Sequence, residues 1–374
     1  MRILFTGGGT GGHVYPAIAI ANTIKARFPE AEIAFVGTSR GIENKICKKE
    51  GFPIYHVEIM GFKRSLAPSN IKAFYYAVTA PKKAKKIIDE FKPDAVIGTG
   101  GYVCWPTCAA AAKEGIPTLL HESNARPGLA VKRLESVVDK ILLNFSECAE
   151  YIGEEYRDKA VTVGNPLRKG FSAISREEAR SLLGITDPAQ RVILSYGGSR
   201  GAGKINETVV EFMKEYAPKN PNVLHIHATG EIGKAYFKEK FKEYGLENQS
   251  NVKVYDYIDD MPIKMAAADV VICRAGAMTV SEVALMGKAA IFIPSPNVTN
   301  NHQYKNAKVL ADKQAAVVIE EKDLTADLLC QRADELLKDD EARERMVERA
   351  VTFSDPNANK KIYDEIIKLI SINL

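Results

Sequence analysis

A histidine follows a glycine-rich stretch close to the start of the chain. Residues 3–21 read "ILFTGGGTGGHVYPAIAIA", in which a short apolar run gives way to five glycines within six positions and then to His13. An imidazole exchanges its proton near neutral pH, and a positioned histidine is the commonest general base in enzymes. His13 is therefore a candidate base, and a histidine that caps the helix or only hydrogen-bonds a substrate is the alternative.

The glycines before His13 fit the G-x-G-x-x-G pattern of dinucleotide-binding loops, through Gly7, Gly9 and Gly12. That fingerprint also needs an acidic residue about 20 positions further on, at the end of the next strand, to hold a ribose. The next predicted strand ends "FVGTSRG", with Gly37 and Thr38 in place of a carboxylate. The pattern therefore disfavours an NAD site.

Two further glycine-rich stretches follow predicted strands. Residues 198–205, "GSRGAGKI", end on Ile205 where a P-loop needs a hydroxyl for Mg²⁺. We interpret this stretch as a turn that brings backbone N–H groups and a helix N-terminus to a diphosphate. Residues 98–106, "GTGGYVCWP", suit either a second anion or simple packing. For each stretch, a tight turn without a ligand is the alternative.

Polar residues cluster after two later strands. Glu282 lies in the first turns of a predicted helix after "CRAGA", where a carboxylate can accept hydrogen bonds from a ribose diol. His302, Gln303 and Asn306 begin the next helix, and their polar groups suit sugar hydroxyls. Favourable charge at a helix N-terminus and ordinary helix capping are the competing explanations.

The elements that must position these residues alternate between β-rich runs and amphipathic or alanine-rich runs. Such alternation predicts an α/β protein with parallel sheets. The series restarts after Ala189, so we expect two Rossmann-like halves around a cleft. The predicted domains are residues 1–164 and 165–355, and residues 356–374 form a last helix that packs back on the first domain.

Composition excludes several classes of protein. The chain of 374 residues is 46% hydrophobic and 26% charged, and it has no apolar run long enough for a membrane span. Residues 1–6 do not have the pattern of a signal peptide, which predicts a cytoplasmic protein. A net charge of +4 is too small to suggest nucleic acid. The six cysteines show no metal-binding spacing, and no D-x-D motif is present, so we expect no metal, no cofactor and no disulfide.

Taken together, the motifs resemble the MurG family of bacterial glycosyltransferases. They run in family order and include "GGGTGGHVYPA", "GTGGY", "HESNARPGL", "GNPLR", "GGSRGA", "YIDDM" and "CRAGAMTVSE…HQYKNA". The resemblance implies a GT-B fold and a peripheral enzyme on the cytoplasmic face of the cell membrane. It also implies inverting transfer of N-acetylglucosamine from UDP-N-acetylglucosamine to the C4 hydroxyl of undecaprenyl-diphosphate-linked muramyl pentapeptide. This reaction is the step from lipid I to lipid II of peptidoglycan synthesis, and peptidoglycan synthesis serves cell shape and division.

Three other functions stay open from the residues alone: a UDP-N-acetylglucosamine epimerase of the same architecture, an NAD oxidoreductase, and a non-catalytic nucleotide-sugar sensor. The resemblance also implies which residues contact the substrates, while His13 is the predicted catalytic base on its residue type and its position after the glycine loop. The implied contacts are Thr10, Gly11, Gly12, Asn124, Arg168, Ser199, Ile258, Ala277, Met278, Thr279, Val280, Ser281, Glu282 and Gln303. The chain has Ser123, Arg200 and His302 where the family commonly has glutamine.

A basic and aromatic segment in the first half favours a membrane surface. Residues 61–92 carry eight Lys or Arg but only two acidic residues, with Leu66 and the aromatic residues Phe62, Phe74, Tyr75 and Tyr76 between them. Ile71, Phe74, Tyr75 and Val78 recur at helical spacing, which by itself is more typical of a helix face packed in the core. The added basic residues favour an anionic lipid surface instead.

Overall fold

The computed structural model describes residues 1–61, 69–168, 170–171 and 173–372. The chain divides into two compact units, which we call unit 1 (Met1–Arg168 with Asp355–Leu374) and unit 2 (Lys169–Ser354). Among the residues described, no helix combines the length and the apolar character needed to cross a bilayer.

Each unit contains one parallel sheet. The seven strands of unit 1 are β1 (Arg2–Gly7), β2 (Glu32–Gly37), β3 (Ile54–His56), β4 (Ala95–Gly100), β5 (Thr118–Glu122), β6 (Lys140–Leu143) and β7 (Ala160–Thr162), in the order β3-β2-β1-β4-β5-β6-β7. The six strands of unit 2 are β8 (Arg191–Tyr196), β9 (Val223–Ala228), β10 (Val252–Tyr255), β11 (Val270–Cys273), β12 (Ala289–Phe292) and β13 (Val317–Val318), in the order β10-β9-β8-β11-β12-β13. The expectation of two Rossmann-like halves is confirmed.

Helices connect the strands. They are α1 (Gly11–Arg27), α2 (Glu43–Glu50), α3 (Ser69–Phe91), α4 (Cys104–Lys113), α5 (Leu129–Leu134), α6 (Arg176–Leu182), α7 (Gly203–Tyr216), α8 (Lys234–Glu243), α9 (Met261–Ala267), α10 (Ala277–Leu285), α11 (His302–Ala311), α12 (Ala326–Lys338), α13 (Asp340–Val351) and α14 (Ala358–Ile372). The central strands are buried along almost their whole length because helices cover both faces of each sheet. This explains why the strands appear in the sequence as continuous apolar runs.

Helix α14 packs against unit 1, although it follows unit 2 in the chain. Ile362 and Ile366 are fully buried in the same core cluster as Ile3 and Ile18. The Asn359 side chain accepts a hydrogen bond from the Leu167 backbone N–H (3.0 Å) and donates one to the Leu167 carbonyl oxygen (3.0 Å). The helix therefore closes unit 1 through both apolar burial and backbone hydrogen bonds.

Helix α3 presents two different faces. Its core face consists of small and aliphatic residues, including Ala80, Ala84 and Ile88. The stripe of Ile71, Phe74, Tyr75 and Val78 is exposed: Ile71 is 77% exposed and Val78 is 53% exposed. Core packing is therefore the wrong explanation for this stripe. Phe62 and Leu66, with Lys63 and Arg64, lie outside the described residues.

We predict that replacing Ile366 by Ala lowers the unfolding free energy of unit 1 by about 2–5 kcal/mol, because the change leaves a cavity in a fully buried core. Trp105 of α4, the only tryptophan in the chain, reports this unfolding by fluorescence during urea denaturation. Lys368→Ala, on the exposed face of α14, is the control and should change stability by less than about 0.5 kcal/mol. Equal effects of the two changes would contradict the assigned packing.

Candidate active site

The candidate residues of each unit lie at one edge of its sheet. In a parallel sheet all carboxyl ends of strands point to the same edge, and ligands bind there at the place where the strand order reverses. That place falls between β1 and β4 in unit 1 and between β8 and β11 in unit 2. The loop with His13 follows β1, and the loop with Ser199 follows β8.

Within unit 2, the other candidates also follow carboxyl ends. Residues 277–282 follow β11, Ile258 follows β10 and Gln303 lies beyond β12. The topology thus brings together residues that are up to 104 positions apart in the chain. In unit 1, Asn124 follows β5, two strands away from β1.

His13 has a defined tautomer in this structure. Its Nδ1 lies 3.0 Å from the carbonyl oxygen of Gly8, and a carbonyl oxygen can only accept, so Nδ1 carries the proton and donates. In the neutral ring Nε2 is then the nitrogen that accepts. The Thr10 hydroxyl lies 3.3 Å from Nδ1, and the Thr10 carbonyl accepts the backbone N–H of His13 (3.1 Å) at the start of α1. The ring geometry is that of a proton acceptor through Nε2.

The "GTGGY" stretch packs directly on this loop. The Gly8 backbone N–H donates to the Gly100 carbonyl oxygen (3.3 Å). A Cβ at Gly100 would contact the His13 ring at 2.7 Å, and a Cβ at Gly101 would collide with the Gly8 carbonyl oxygen. Both glycines also have positive φ, 109° and 85°. Close packing alone accounts for these two glycines.

The "HESN" segment is organised by a buried carboxylate. Glu122, 5% exposed, accepts the backbone N–H and the side-chain amide of Asn124 at its Oε1 (both 2.9 Å) and the backbone N–H of Gly128 at its Oε2 (2.7 Å). Three donors occupy the lone pairs that would take a substrate proton. Glu122 therefore serves to orient Asn124, and it is a poorer candidate base than His13.

His121 belongs to the same segment, at the end of β5, and Arg168 packs against α1. Burial lowers the pKa of His121 to about 4, and its Nε2 donates to the Gly164 carbonyl oxygen (3.0 Å). Ser123, which replaces the family's usual glutamine, places its hydroxyl 3.4 Å from His121 Nδ1. The Arg168 guanidinium lies over the Tyr15 ring, 5.0 Å from its centroid, so that unit 1 holds this arginine against α1.

The glycine turn of unit 2 opens a helix. The Gly201 N–H donates to the Gly198 carbonyl oxygen (2.9 Å), and α7 begins at Gly203 with no acidic residue in its first turn. The Ile205 side chain is fully buried, in agreement with its exclusion as a Mg²⁺ ligand. The Arg200 carbonyl accepts the N–H groups of two residues, and its side chain is exposed, as is that of Ser199.

The remaining candidates of unit 2 are partly or fully buried or have hydrogen-bond partners within the protein. Glu282 is half-buried. The burial of Tyr196, together with the negative charge of the nearby Glu282, raises the pKa of Tyr196. The burial of Cys273 raises the pKa of that thiol to about 12. Gln303 accepts the Ser295 backbone N–H at its Oε1 (2.9 Å), and His302 Nδ1 donates to the Thr299 carbonyl oxygen (2.8 Å). Ile258 is buried, at 5% exposure.

Sequence reasoning missed Glu43 and Asn206. Glu43 begins α2, six residues beyond the end of β2, but its carboxylate folds back to Thr38 at that strand end and is 1% exposed. Asn206 of α7 donates to two carbonyl oxygens of the loop after β9. An acidic residue shortly after "GTSRG" was the available signal for Glu43, but nothing in the sequence shows that it returns to the strand.

Comparison with known proteins agrees with this architecture. Residues 3–143 match the N-terminal domain of glycosyltransferase family 28, and residues 192–362 match its C-terminal domain. Two such Rossmann-like domains define a glycosyltransferase of the GT-B fold. The chain belongs, more narrowly, to the MurG family, the UDP-N-acetylglucosamine–N-acetylmuramyl-(pentapeptide) pyrophosphoryl-undecaprenol N-acetylglucosamine transferases.

The family assignment rests on full-length similarity. The chain is 44% identical to the family member of Thermoanaerobacter sp. (strain X514), over 99% of this chain and 100% of that protein. It is 43% identical to that of Acetivibrio thermocellus, over 100% and 99%. The crystal structure of Acinetobacter baumannii MurG superposes with a TM-score of 0.78 at 30% identity, covering 98% of this chain and 99% of that one. A UDP-N-acetylglucosamine 2-epimerase from Neisseria meningitidis shares only the fold, at 15% identity and a TM-score of 0.69 over 98% and 100%.

We predict that unit 1 loses stability between pH 7 and pH 5 because of His121. Its pKa is about 4 in the folded state and 6.5 when exposed, so the unfolded chain takes up a proton first as the pH falls below about 6.5. The expected contribution is about 2 kcal/mol by pH 5. In urea unfolding followed by Trp105 fluorescence, His121→Gln should lose this part of the pH dependence. An unchanged pH slope would show that His121 is not buried in its neutral form.

Proposed function

We propose that the protein transfers N-acetylglucosamine from UDP-N-acetylglucosamine to the C4 hydroxyl of undecaprenyl-diphosphate-linked muramyl pentapeptide, with inversion and without a metal ion. The observation that carries this proposal is the tautomer of His13, which leaves Nε2 as the proton acceptor in a chain that is 44% identical over its length to a transferase of that name. UDP and the β-linked disaccharide on its lipid carrier are the products.

The chemistry needs one base and one means of stabilising the leaving group. His13 Nε2 removes the proton of the acceptor C4 hydroxyl as that oxygen attacks the anomeric carbon of the donor sugar, and the bond from that carbon to the UDP oxygen breaks. A single displacement inverts the anomeric centre and needs no second carboxylate as nucleophile. The start of α7, with unpaired N–H groups and no acidic residue in its first turn, can offset charge on the departing diphosphate.

The donor contacts are proposed by residue. The backbone of Ile258 hydrogen-bonds uracil, Glu282 holds the ribose diol, and Ser199 with its turn holds phosphate. Gln303 and residues 277–281 contact the sugar and the nucleotide, and Thr10, Gly11, Gly12, Asn124 and Arg168 complete the substrate contacts. The burial of Ile258 and the hydrogen bond that Gln303 accepts from the Ser295 N–H support these roles, since both hold groups in place at the edge where strands end.

Incubation with labelled UDP-N-acetylglucosamine, with and without a short-chain lipid-linked muramyl acceptor, tests the function. Transfer requires the acceptor and should persist in excess EDTA. An epimerase would convert the donor sugar without any acceptor, and a sensor would bind it unchanged, so that either result would overturn the proposal. An NAD oxidoreductase is further disfavoured because the carboxylate near the β2 end is buried.

We predict that one substitution lowers kcat while another weakens UDP binding. His13→Ala should lower kcat by at least about a hundredfold and leave UDP affinity within a few-fold, because a positioned base contributes about 10² to 10⁴. Glu282→Ala should instead weaken UDP binding by about 1.5–3 kcal/mol through loss of charge-assisted hydrogen bonds. Calorimetric titration with UDP and steady-state kinetics separate the two effects. Near-normal turnover of a folded His13→Ala variant would show that another group is the base.

We also propose that the exposed stripe of α3 binds an anionic membrane at the cytoplasmic face, where a lipid-linked acceptor would reside. Ile71, Phe74, Tyr75 and Val78 are exposed, and Lys82, Lys83 and Lys86 are exposed further along the same helix. Lys85 is held by Asp89 (2.9 Å) and Glu114 (3.1 Å) and contributes less free charge. Exposed apolar side chains on the same helix as exposed lysines are typical of peripheral lipid contact.

We predict that the triple change of Lys82, Lys83 and Lys86 to Glu abolishes flotation with anionic liposomes, since each basic residue contributes about 1 kcal/mol at such a surface. The control carries the same charge change at Lys219, Lys322 and Lys338, three exposed lysines of unit 2, and should float like the wild type. Equal flotation of both variants would assign membrane binding to another surface.

A further inference from the structure

Glu43 is a buried carboxylate whose hydrogen-bond donors, within the part of the chain that the structure describes, are all neutral. Its Oε1 accepts the backbone N–H and the hydroxyl of Thr38 (both 2.9 Å), and its Oε2 accepts the backbone N–H of Gly9 (3.1 Å). The residue is 1% exposed. Burying a carboxylate is unfavourable unless hydrogen bonds compensate it, so this arrangement needs a reason beyond simple packing.

The surrounding chain leaves room for this carboxylate. A Cβ at Gly8 would lie 2.7 Å from Glu43 Oε1, a Cβ at Gly37 would lie 2.5 Å from Glu43 Cγ, and a Cβ at Gly41 would collide with the carboxylate. Three glycines from three different loop positions therefore surround one side chain. The packing at this end of the sheet is built around the Glu43 carboxylate.

Glu43 and His13 bind the two ends of a single peptide group. The Gly9 N–H that donates to Glu43 belongs to the same planar peptide unit as the Gly8 carbonyl, which accepts from His13 Nδ1 (3.0 Å). The Gly8–Gly9 peptide group thus links the Glu43 carboxylate to the His13 imidazole through two hydrogen bonds. An anion at the N–H end polarises the amide and strengthens acceptance at its carbonyl end.

This peptide needs an anchor because it joins two glycines. Gly9 has φ of +83°, and glycine has low-energy conformations on both sides of the backbone map, so the peptide unit can rotate at little steric cost. Rotation would turn the Gly8 carbonyl away from His13 and remove the acceptor that keeps the proton on Nδ1. The Gly8 N–H bond to Gly100 constrains the preceding peptide, not this one.

We propose that Glu43 is a positioning residue for His13, acting through the Gly8–Gly9 peptide to hold the tautomer in which Nε2 accepts a proton. The proposal rests on the role of His13 in the proposed function. Glu43 is not placed in contact with the substrates; it sets the orientation of the peptide group whose carbonyl oxygen accepts the Nδ1 proton of the base.

The test is Glu43→Gln, with ¹⁵N NMR of the histidine rings in the full-length protein. Glutamine offers one acceptor oxygen, so its NH₂ group must face either the Gly9 N–H or the Thr38 N–H, and two donors repel. We expect the His13 signals, assigned by their loss in His13→Ala among the six histidines, to change from the Nδ1–H form to a mixture of tautomers. We also expect kcat to fall about tenfold or more while UDP affinity stays unchanged.

Thr38→Val is the matched control because it removes one donor from the same carboxylate without touching Gly9. It should leave the His13 tautomer and kcat near those of the wild type. If Glu43→Gln does not fold, as judged by Trp105 fluorescence, Glu43→Asp keeps the charge but draws it away from Gly9, and should also mix the tautomers.

The NMR result separates this inference from the proposed function. A wild-type His13 tautomer in the folded Glu43→Gln or Glu43→Asp protein overturns the positioning role, whatever the activity. A loss of tautomer preference equal to that in Thr38→Val also overturns it, since general loosening would then explain both. If His13→Ala retains full activity while Glu43→Gln mixes the tautomers, the proposed base is wrong and the positioning of the ring stands.

Discussion

The parallel pairing of the strands is the constraint on which the rest of this structure depends. It places every strand's carboxyl end at one edge of its sheet and leaves the amino ends of the following helices, with their unpaired N–H groups, at the same edge. A loop there can offer backbone donors to an anion, as we propose for the turn before α7, or fix a side chain against its own backbone, as the loop before α1 does for His13. The chemistry of both units follows from this placement.

Close backbone packing at these edges explains the glycines better than ligand binding alone. Gly100 and Gly101 bring the loop after β4 against the loop after β1, and Gly201 similarly meets the loop after β9. Buried polar side chains then hold the loops in place: Glu122 orients Asn124, Glu43 binds Gly9, and Asn206 holds two carbonyl groups. Such bonds inside a low-dielectric core hold loops firmly, because an unsatisfied buried partner is costly. The site is therefore rigid where it is made of backbone.

The two faces of α3 differ: one packs in the core of unit 1 and the other is exposed. Alanine and isoleucine on one face fill the core of unit 1, while large apolar side chains on the other remain in contact with solvent. A folded protein gains nothing from exposing this much apolar surface, so the stripe has its use outside the monomer. Together with the lysines on the same helix, this exposure is the observation on which the proposal of a lipid-binding surface rests.

The sequence alone was sufficient to determine the α/β class, the two Rossmann-like halves and the family, because periodic apolar runs and glycine motifs are local signals. It also led to the hypotheses that His13 is the base and that Ile205 is no metal ligand, since both rest on residue type and position. The sequence predicted that the last helix packs back on the first domain, but only the tertiary structure decided which side chains of α14 enter the core of unit 1, that the α3 stripe is exposed, and that Glu43 returns to the end of β2 to bind Gly9. These depend on which side of an element faces the core and on bonds between residues far apart in the chain: Glu43 and Gly9 are 34 residues apart, and only the pairing of β1 with β2 brings them together.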